Sequence, residues 1–251
     1  MAAKPGVVPI PDSVTVTITS CGRLDLLEKT LAAWRAYHSG GRYLVSEDSG
    51  DEAVIAKVRE MMPEATVLTG AGRTGLMASL DRLYSAVETP YIFNLEDDWV
   101  IDAPVDWATA IKALERPGVS QVCVRAFDEI RAKWRRKSEP FEVDGHQMAH
   151  MDANAHVEFF GWSPNPGLFK TELYQRFKPF NRVLPDQMSA LIKNEAHVTM
   201  AFLLPGVARH IGGGRNVTDP TMPARPKNRL AKWSRRIKKQ MYYWGLRKTP
   251  Y

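Results

Sequence analysis

Three adjacent carboxylates, Glu96-Asp97-Asp98, follow the apolar run Tyr91 to Leu95. Carboxylates that close repel one another, and at the end of a buried strand they need a cation or hydrogen-bond donors. A hard divalent ion such as Mg²⁺ or Mn²⁺ takes oxygen ligands and bridges to the phosphates of a substrate. The competing reading is an acidic loop that faces water or caps the next helix. An acid-x-Asp pattern is common by chance, so its place after a strand is what gives it weight. Two more acids, Glu47 and Asp48, stand in the polar loop Ser46 to Asp51, and Thr19-Ser20-Cys21-Gly22-Arg23 forms another polar turn.

Each of these groups ends a β-branched or apolar run. Val14 to Thr19 (VTVTIT) predicts a strand buried on both faces. Leu24, Leu27, Leu31 and Trp34 then fall on one helical face, and Gly40-Gly41 stops the helix. Arg42 to Val45 predicts a second strand, Glu52 to Met62 a helix halted by Pro63, and Ala65 to Leu68 a third strand. A glycine-rich turn, Gly70 to Gly75, leads into a helix to about Val87. Strand–helix alternation of this kind predicts a mostly parallel sheet with helices on both faces, whose ligand site lies at the carboxyl ends of the strands. The second half is less regular. A helix over Asp106–Leu114, a strand over Val119–Ala126 and an exposed charged segment from Asp128 to Glu139 are expected. Short strands are expected at His156–Phe160 and Pro166–Phe169, helices at Lys170–Phe177 and Gln187–Leu204, and a last strand at Arg209–Ile211.

The chain has 251 residues, 44% of them hydrophobic, which is enough for a real core and excludes disorder as the dominant state. Two cysteines, Cys21 and Cys123, make no disulfide scaffold and read as buried thiols. No apolar run approaches the roughly 18 residues needed to span a bilayer. The first twelve residues carry three prolines and no long apolar stretch, so no secretory signal is expected. The expected location is cytoplasmic. Lys and Arg number 34 against 28 Asp and Glu; ten of those cations and no acid lie in residues 225–251, leaving 24 against 28 elsewhere. The globule is mildly acidic and the tail strongly basic, so the overall pI is no argument for nucleic-acid binding.

These motifs together resemble the inverting glycosyltransferases of family 2 and their relatives, which share the GT-A fold. In that resemblance Thr19 and Arg23 match a Thr-rich, Arg-containing first turn. Val45-Ser46-Glu47-Asp48-Ser49-Gly50-Asp51 matches the pattern V-D-D-G-S-x-D, with Glu47 at the acid that holds the nucleoside and Asp48 beside it. Counting back from Glu96 puts Asp81 at the Asn of an A-R-N-x-G pattern, with Leu80 where the Arg would stand. The triplet itself is more similar to the form in N-acetylglucosaminyltransferases of family 13. The resemblance implies that Glu96 or Asp97 contacts ribose or donor sugar and that Asp98 binds Mn²⁺ or Mg²⁺, with His210 as a further metal ligand. It implies Glu195, in the pair Asn194-Glu195, as the base that deprotonates the acceptor, with Asp186 as second choice. The partners implied are a nucleotide-sugar donor and a glycan or lipid-linked acceptor. It divides the chain into a nucleotide-sugar-binding half (1–102), an acceptor-binding half (103–224) and a basic tail (225–251).

A rival motif is present. Gly70-Ala71-Gly72-Arg73-Thr74-Gly75 matches G-x-G-x-x-G between a strand and a helix, with Glu96 about 20 residues on, as in a Rossmann-type NAD(P)-dependent oxidoreductase. Under the transferase reading Arg73 joins the nucleotide-binding residues. Trp162, in a Pro/Gly-rich loop, is either a platform for a sugar face or a core tryptophan. In the tail, Leu230, Trp233, Ile237, Met241 and Trp244 fall within about 40° of one helical direction, with Arg and Lys on the other side. That pattern predicts an interfacial helix on an anionic membrane surface; the alternative is a helix docked on its own domain. A non-catalytic membrane-surface or nucleic-acid adaptor is the remaining reading, although no nucleic-acid recognition motif accompanies the charge.

Overall fold

A computed structural model describes residues 6–215, 217–221 and 228–249. The elements run β1 (Val8–Pro9), β2 (Val14–Ser20), α1 (Leu24–Arg35), β3 (His38–Ser39), β4 (Arg42–Glu47), α2 (Glu52–Met61), β5 (Ala65–Thr69), α3 (Leu76–Ser85), β6 (Tyr91–Glu96) and β7 (Trp99–Ile101). They continue with α4 (Trp107–Leu114), β8 (Val119–Cys123), α5 (Ala132–Arg135), β9 (Ser138–Val143), β10 (His146–Met151), β11 (Gly167–Lys170), α6 (Thr171–Phe177), α7 (Pro185–Ala196), β12 (Thr199–Leu203), β13 (Ala208–His210) and α8 (Arg229–Tyr243). Residues up to Val217 form one compact unit and those from Thr218 a second, which consists mainly of α8.

A nine-stranded sheet, ordered β5-β4-β2-β6-β11-β8-β12-β10-β9, runs through the first unit. It is continuous across residue 102, so the expected nucleotide and acceptor halves share one sheet. The first four strands are parallel, and β11 enters antiparallel between β6 and β8. Every residue of β2 is buried, as a central strand covered on both faces requires. Side chains alternate between the two faces. Phe93 and Leu168 join Leu31 and Trp34 of α1 and Trp107 of α4 on one face; Ile92 and Phe169 join Leu80 and Tyr84 of α3, Phe177 of α6 and Ile192 of α7 on the other. Register brings Thr19 beside Ser46 on one neighbour and Glu96 on the other, so the polar groups read from the sequence share one edge of the sheet.

Three expectations for the second half are corrected. The helix expected over Gln187–Leu204 ends at Ala196, where His197 turns left-handed (φ 55°), and Thr199–Leu203, with β-branched and aromatic side chains, becomes strand β12. Part of the charged segment expected from Asp128 to Glu139 is the start of a hairpin, β9–β10, closed by Asp144-Gly145 with both residues at positive φ, the turn that pair favours. Residues 156–160 form no strand. They pack under β8, β10 and β12 as the aromatic pair Phe159 and Phe160 against Trp134.

Candidate functional site

Strand β6 ends at Glu96, and the turn Asp97-Asp98 leads into β7. The Asp97 amide donates to the Thr19 carbonyl (3.0 Å), and the Asp98 carbonyl accepts from the Ile211 amide (2.8 Å), so neighbouring segments fix the turn on two sides. Asp97 and Asp98 are buried. The donors that three adjacent carboxylates require come first from Arg23, which grips both Asp97 oxygens and donates through Nη1 to Asp98 Oδ2 at 2.7 Å. Burial pushes the Asp97 carboxyl up, against the pull of that guanidinium. Glu96 accepts from the Trp99 indole (3.0 Å) and the Asn165 amide (3.4 Å); burial, and then the charge of Asp98, pushes it up to about 8. Asn165 is held there by its loop, which Gln121 grips through both Ser163 backbone groups and Asn94 through the Pro164 carbonyl.

The residues fit a divalent ion. Pairing of β13 with β7 sets His210 opposite Trp99, and His210 Nε2 lies 3.3 Å from Asp98 Oδ2. Two ligands in adjacent positions around one ion, each at about 2.1 Å, are about 3 Å apart. Gly212 lets the chain pass close to this carboxylate: a Cβ there would collide with Asp98 Oδ2. No three His, Cys, Asp or Glu side chains converge among the described residues. Two protein ligands leave most of the coordination sphere to water and phosphate, the usual manner of Mg²⁺ at nucleotide sites.

The nucleoside side lies two strands over, beyond β2, at the end of β4. Glu47 Oε1 accepts from the Gly22 (3.0 Å) and Ser49 (2.9 Å) amides, while its buried Oε2 has no hydrogen-bond partner among the described residues. Asp48 is different. Both its oxygens are filled by the Thr74 amide and hydroxyl and by the Gly75 amide at 2.5–3.1 Å. It therefore caps α3 and pins the glycine turn, and the role expected for it in nucleotide binding becomes one of positioning. The same contact corrects the oxidoreductase reading: a dinucleotide pyrophosphate would take those amides, and a carboxylate already holds them. The turn also follows β5, at the sheet edge, where no second strand builds a crevice. Arg73 is exposed, with its guanidinium beside the Cys21 thiol, which burial pushes up.

Other expected residues sit elsewhere. Asp81 accepts from the Phe180 (2.7 Å) and Asn181 (2.8 Å) amides and so fixes a short 3₁₀ turn rather than a nucleotide. Trp162 is fully buried edge-on to Phe180 (5.0 Å) and offers no platform. Glu195 ends α7 at the wrong end of the sheet: it precedes Thr199, which pairs with Val119, the first residue of β8. The five residues of β12, at about 3.3 Å each, put roughly 15 Å between it and the edge that carries the triplet. Asp186, at the start of α7, is at the same end as the triplet. Sequence reasoning missed Asn165, Arg82 and Gly212. Arg82 reaches Ser46 (2.8 Å) and Thr74 (3.0 Å), tying α3 to the nucleoside loop.

No family model matches the sequence, and no curated protein does. Solved structures do resemble the fold. S. aureus TarS (residues 1–349) aligns over 76% of this chain at 10% identity and a TM-score of 0.53. The Pyrobaculum calidifontis mannosyltransferase solved with GDP-Man and Mn²⁺ aligns over 94% at 16% identity and 0.53. GalNAc-T7, solved with UDP, GalNAc and Mn²⁺, aligns over 92% at 9% identity and 0.56. This chain spans 57%, 65% and 50% of those chains, respectively. At such identities the likeness is one of architecture, and that architecture is the mixed α/β GT-A glycosyltransferase fold.

Proposed function

We propose that this protein is a metal-dependent glycosyltransferase that moves a sugar, with inversion, from a nucleotide-activated donor to a hydroxyl acceptor. The observation that carries the reading is the convergence of Asp98 Oδ2 and His210 Nε2, 3.3 Å apart, at the sheet edge that also carries Glu47, whose Oε2 has no hydrogen-bond partner among the described residues. A divalent ion held by Asp98 and His210 would offset the charge that builds on the leaving diphosphate. Arg23, fixed on the same carboxylates, adds a second cation at that end. A carboxylate in the nucleoside loop would accept from a base that presents a ring N–H, as uracil and guanine do and cytosine and adenine do not. Glu96 and Asn165 face the donor sugar.

In an inverting transfer the acceptor oxygen forms its bond to the anomeric carbon as the bond to phosphate breaks. The electron pair leaves with the nucleoside diphosphate, and the hydroxyl proton passes to a base. Asp186 takes that role here in place of Glu195. The acceptor is a lipid-linked or envelope glycan, met from the cytoplasm. Specific nucleic-acid recognition is not part of this reading.

Thermal shift against UDP, GDP, CMP and their sugars, with and without Mn²⁺, tests it. UDP or GDP should raise the melting temperature, and Mn²⁺ should enlarge the shift. Stabilisation by NAD(P)H with no response to any nucleoside diphosphate would overturn it.

A further inference from the structure

We propose that α8 is the surface by which this protein binds an anionic lipid bilayer. The inference goes beyond transfer chemistry and rests on α8 alone. The helix carries its own terminators. The Asn228 side chain accepts the Ala231 amide (2.8 Å) at the start. At the end Gly245 is left-handed (φ 74°), its amide donates to the Tyr242 carbonyl (3.0 Å), and the Leu246 amide reaches back to Met241 (2.8 Å). That pair of bonds is a Schellman motif. The helix is thus specified locally, without needing a partner helix to define its ends.

Within its own unit the apolar stripe is largely uncovered: Leu230 is 77% exposed, Trp233 64% and Trp244 66%, with Ile237 at 38% and Met241 half-buried. No helix can keep such a stripe in water cheaply, and a 15-residue helix is marginal without burying one. The opposite side decides what covers it. Between Asn228 and Thr249 lie eight cations, six of them on α8 itself, and no Asp or Glu. A second copy would cover the stripe but add six more cations on its helix with no acid to offset them. A nucleic-acid duplex would attract the cations and leave the indoles in water. An anionic bilayer meets both sides at once: indoles and aliphatic groups sink to the headgroup level while the cations lie along the phosphates. No helix of the described residues is long and apolar enough to cross the membrane, so the contact is one of lying on it.

The test is co-sedimentation of the full chain with vesicles of phosphatidylcholine alone or with 30% phosphatidylglycerol. Each cation near an anionic surface raises association about fivefold at low salt, so the mixed vesicles should bind and the neutral ones should bind poorly. Raising salt should weaken binding without abolishing it, because only the ionic part is screened. Trp233→Ala with Trp244→Ala should cut partitioning at least tenfold while the shift with UDP or GDP is unchanged. These changes fall on exposed side chains, so folding is not at risk. Protein left in the supernatant with mixed vesicles at low salt overturns the proposal. So does a double variant that binds like the parent, or a dimer in light scattering that the double variant abolishes. Tight binding of single-stranded RNA, with vesicles ignored, would assign α8 to nucleic acid instead.

Discussion

Arg23 and His210 meet at one atom. Arg23 Nη1 donates to Asp98 Oδ2 from 2.7 Å, and His210 Nε2 stands 3.3 Å from that same oxygen. The carboxylate therefore has a resident cation on one side, the imidazole nitrogen on another and the Gly212 backbone close by. The guanidinium already offsets the acidic strand end, and an ion held there would compete with it for the same oxygen.

Asp98→Ala should remove Mn²⁺-dependent nucleotide binding while leaving the fold intact, since Arg23 keeps Asp97. Gly212→Ala should weaken Mn²⁺ by tenfold or more, because the new methyl group collides with the Asp98 carboxylate and displaces it. Calorimetric titration of nucleotide with and without Mn²⁺ checks both. Unaltered metal dependence in folded Asp98→Ala would remove Asp98 from the site.

Arg23→Gln should be costly for a different reason. It leaves the buried Asp97 without a cation, and breaking a buried pair from one side costs about 3–5 kcal/mol. Denaturant melts should show a loss of this order, with Arg23→Lys restoring part of it. A drop well under 1 kcal/mol would mean that the guanidinium is dispensable to the fold.

Asp186→Asn should cut turnover by about 10²-fold or more with donor affinity retained, the signature of a lost base. Glu195→Gln should leave turnover within about twofold, because its side chain is exposed at the far end of the sheet. Steady-state rates with the donor identified by thermal shift compare the two directly.

His38 should make stability depend on pH. Its Nδ1 lies 3.1 Å from the Trp34 carbonyl and its Nε2 accepts the Val105 amide (3.0 Å), so the ring is held neutral, and burial pushes it down to about 4. The unfolded chain takes the proton near 6.5. Its contribution is therefore full above pH 6.5 and lost as pH falls towards 4, by at most about 1.4 kcal/mol per unit. Melting curves of wild type and His38→Gln between pH 4 and 8 should converge at the acid end. Parallel curves would exclude His38 as the source.

The half of the fold up to Glu96 was legible because its signals are local: β-branched runs, glycines and prolines as punctuation, and acids at strand ends. The break after Ala196 was hidden because a left-handed histidine, not a glycine, makes it. The Asp144-Gly145 hairpin carries its usual signal just beyond the charged segment expected to end at Glu139, in a stretch to which the sequence reading gives no element. Site residues failed where their partners are remote. Asp81 meets Phe180 and Asn165 meets Glu96, 99 and 69 residues away, and no spacing encodes either. Glu195 matched a motif by distance along the chain, which cannot say which end of a sheet a helix reaches. Asp48 matched a motif too, but its lone pairs were committed to a neighbouring turn.

The late entry of β11 has a consequence for synthesis on the ribosome. Strand β6 is complete at Glu96, but the strand that pairs its outer edge begins only at Gly167. At about 5–20 residues per second, some 70 residues of translation leave that edge open for several seconds. The open edge is apolar on both faces and has its hydrogen-bonding groups bare, the profile that invites pairing between nascent chains. When β11 arrives it must fit closely, since any side chain at Gly167 would press on the Val122 carbonyl at 2.8 Å. Slowed elongation between 96 and 170 should therefore lower the soluble yield of this protein more than a pause later in the chain.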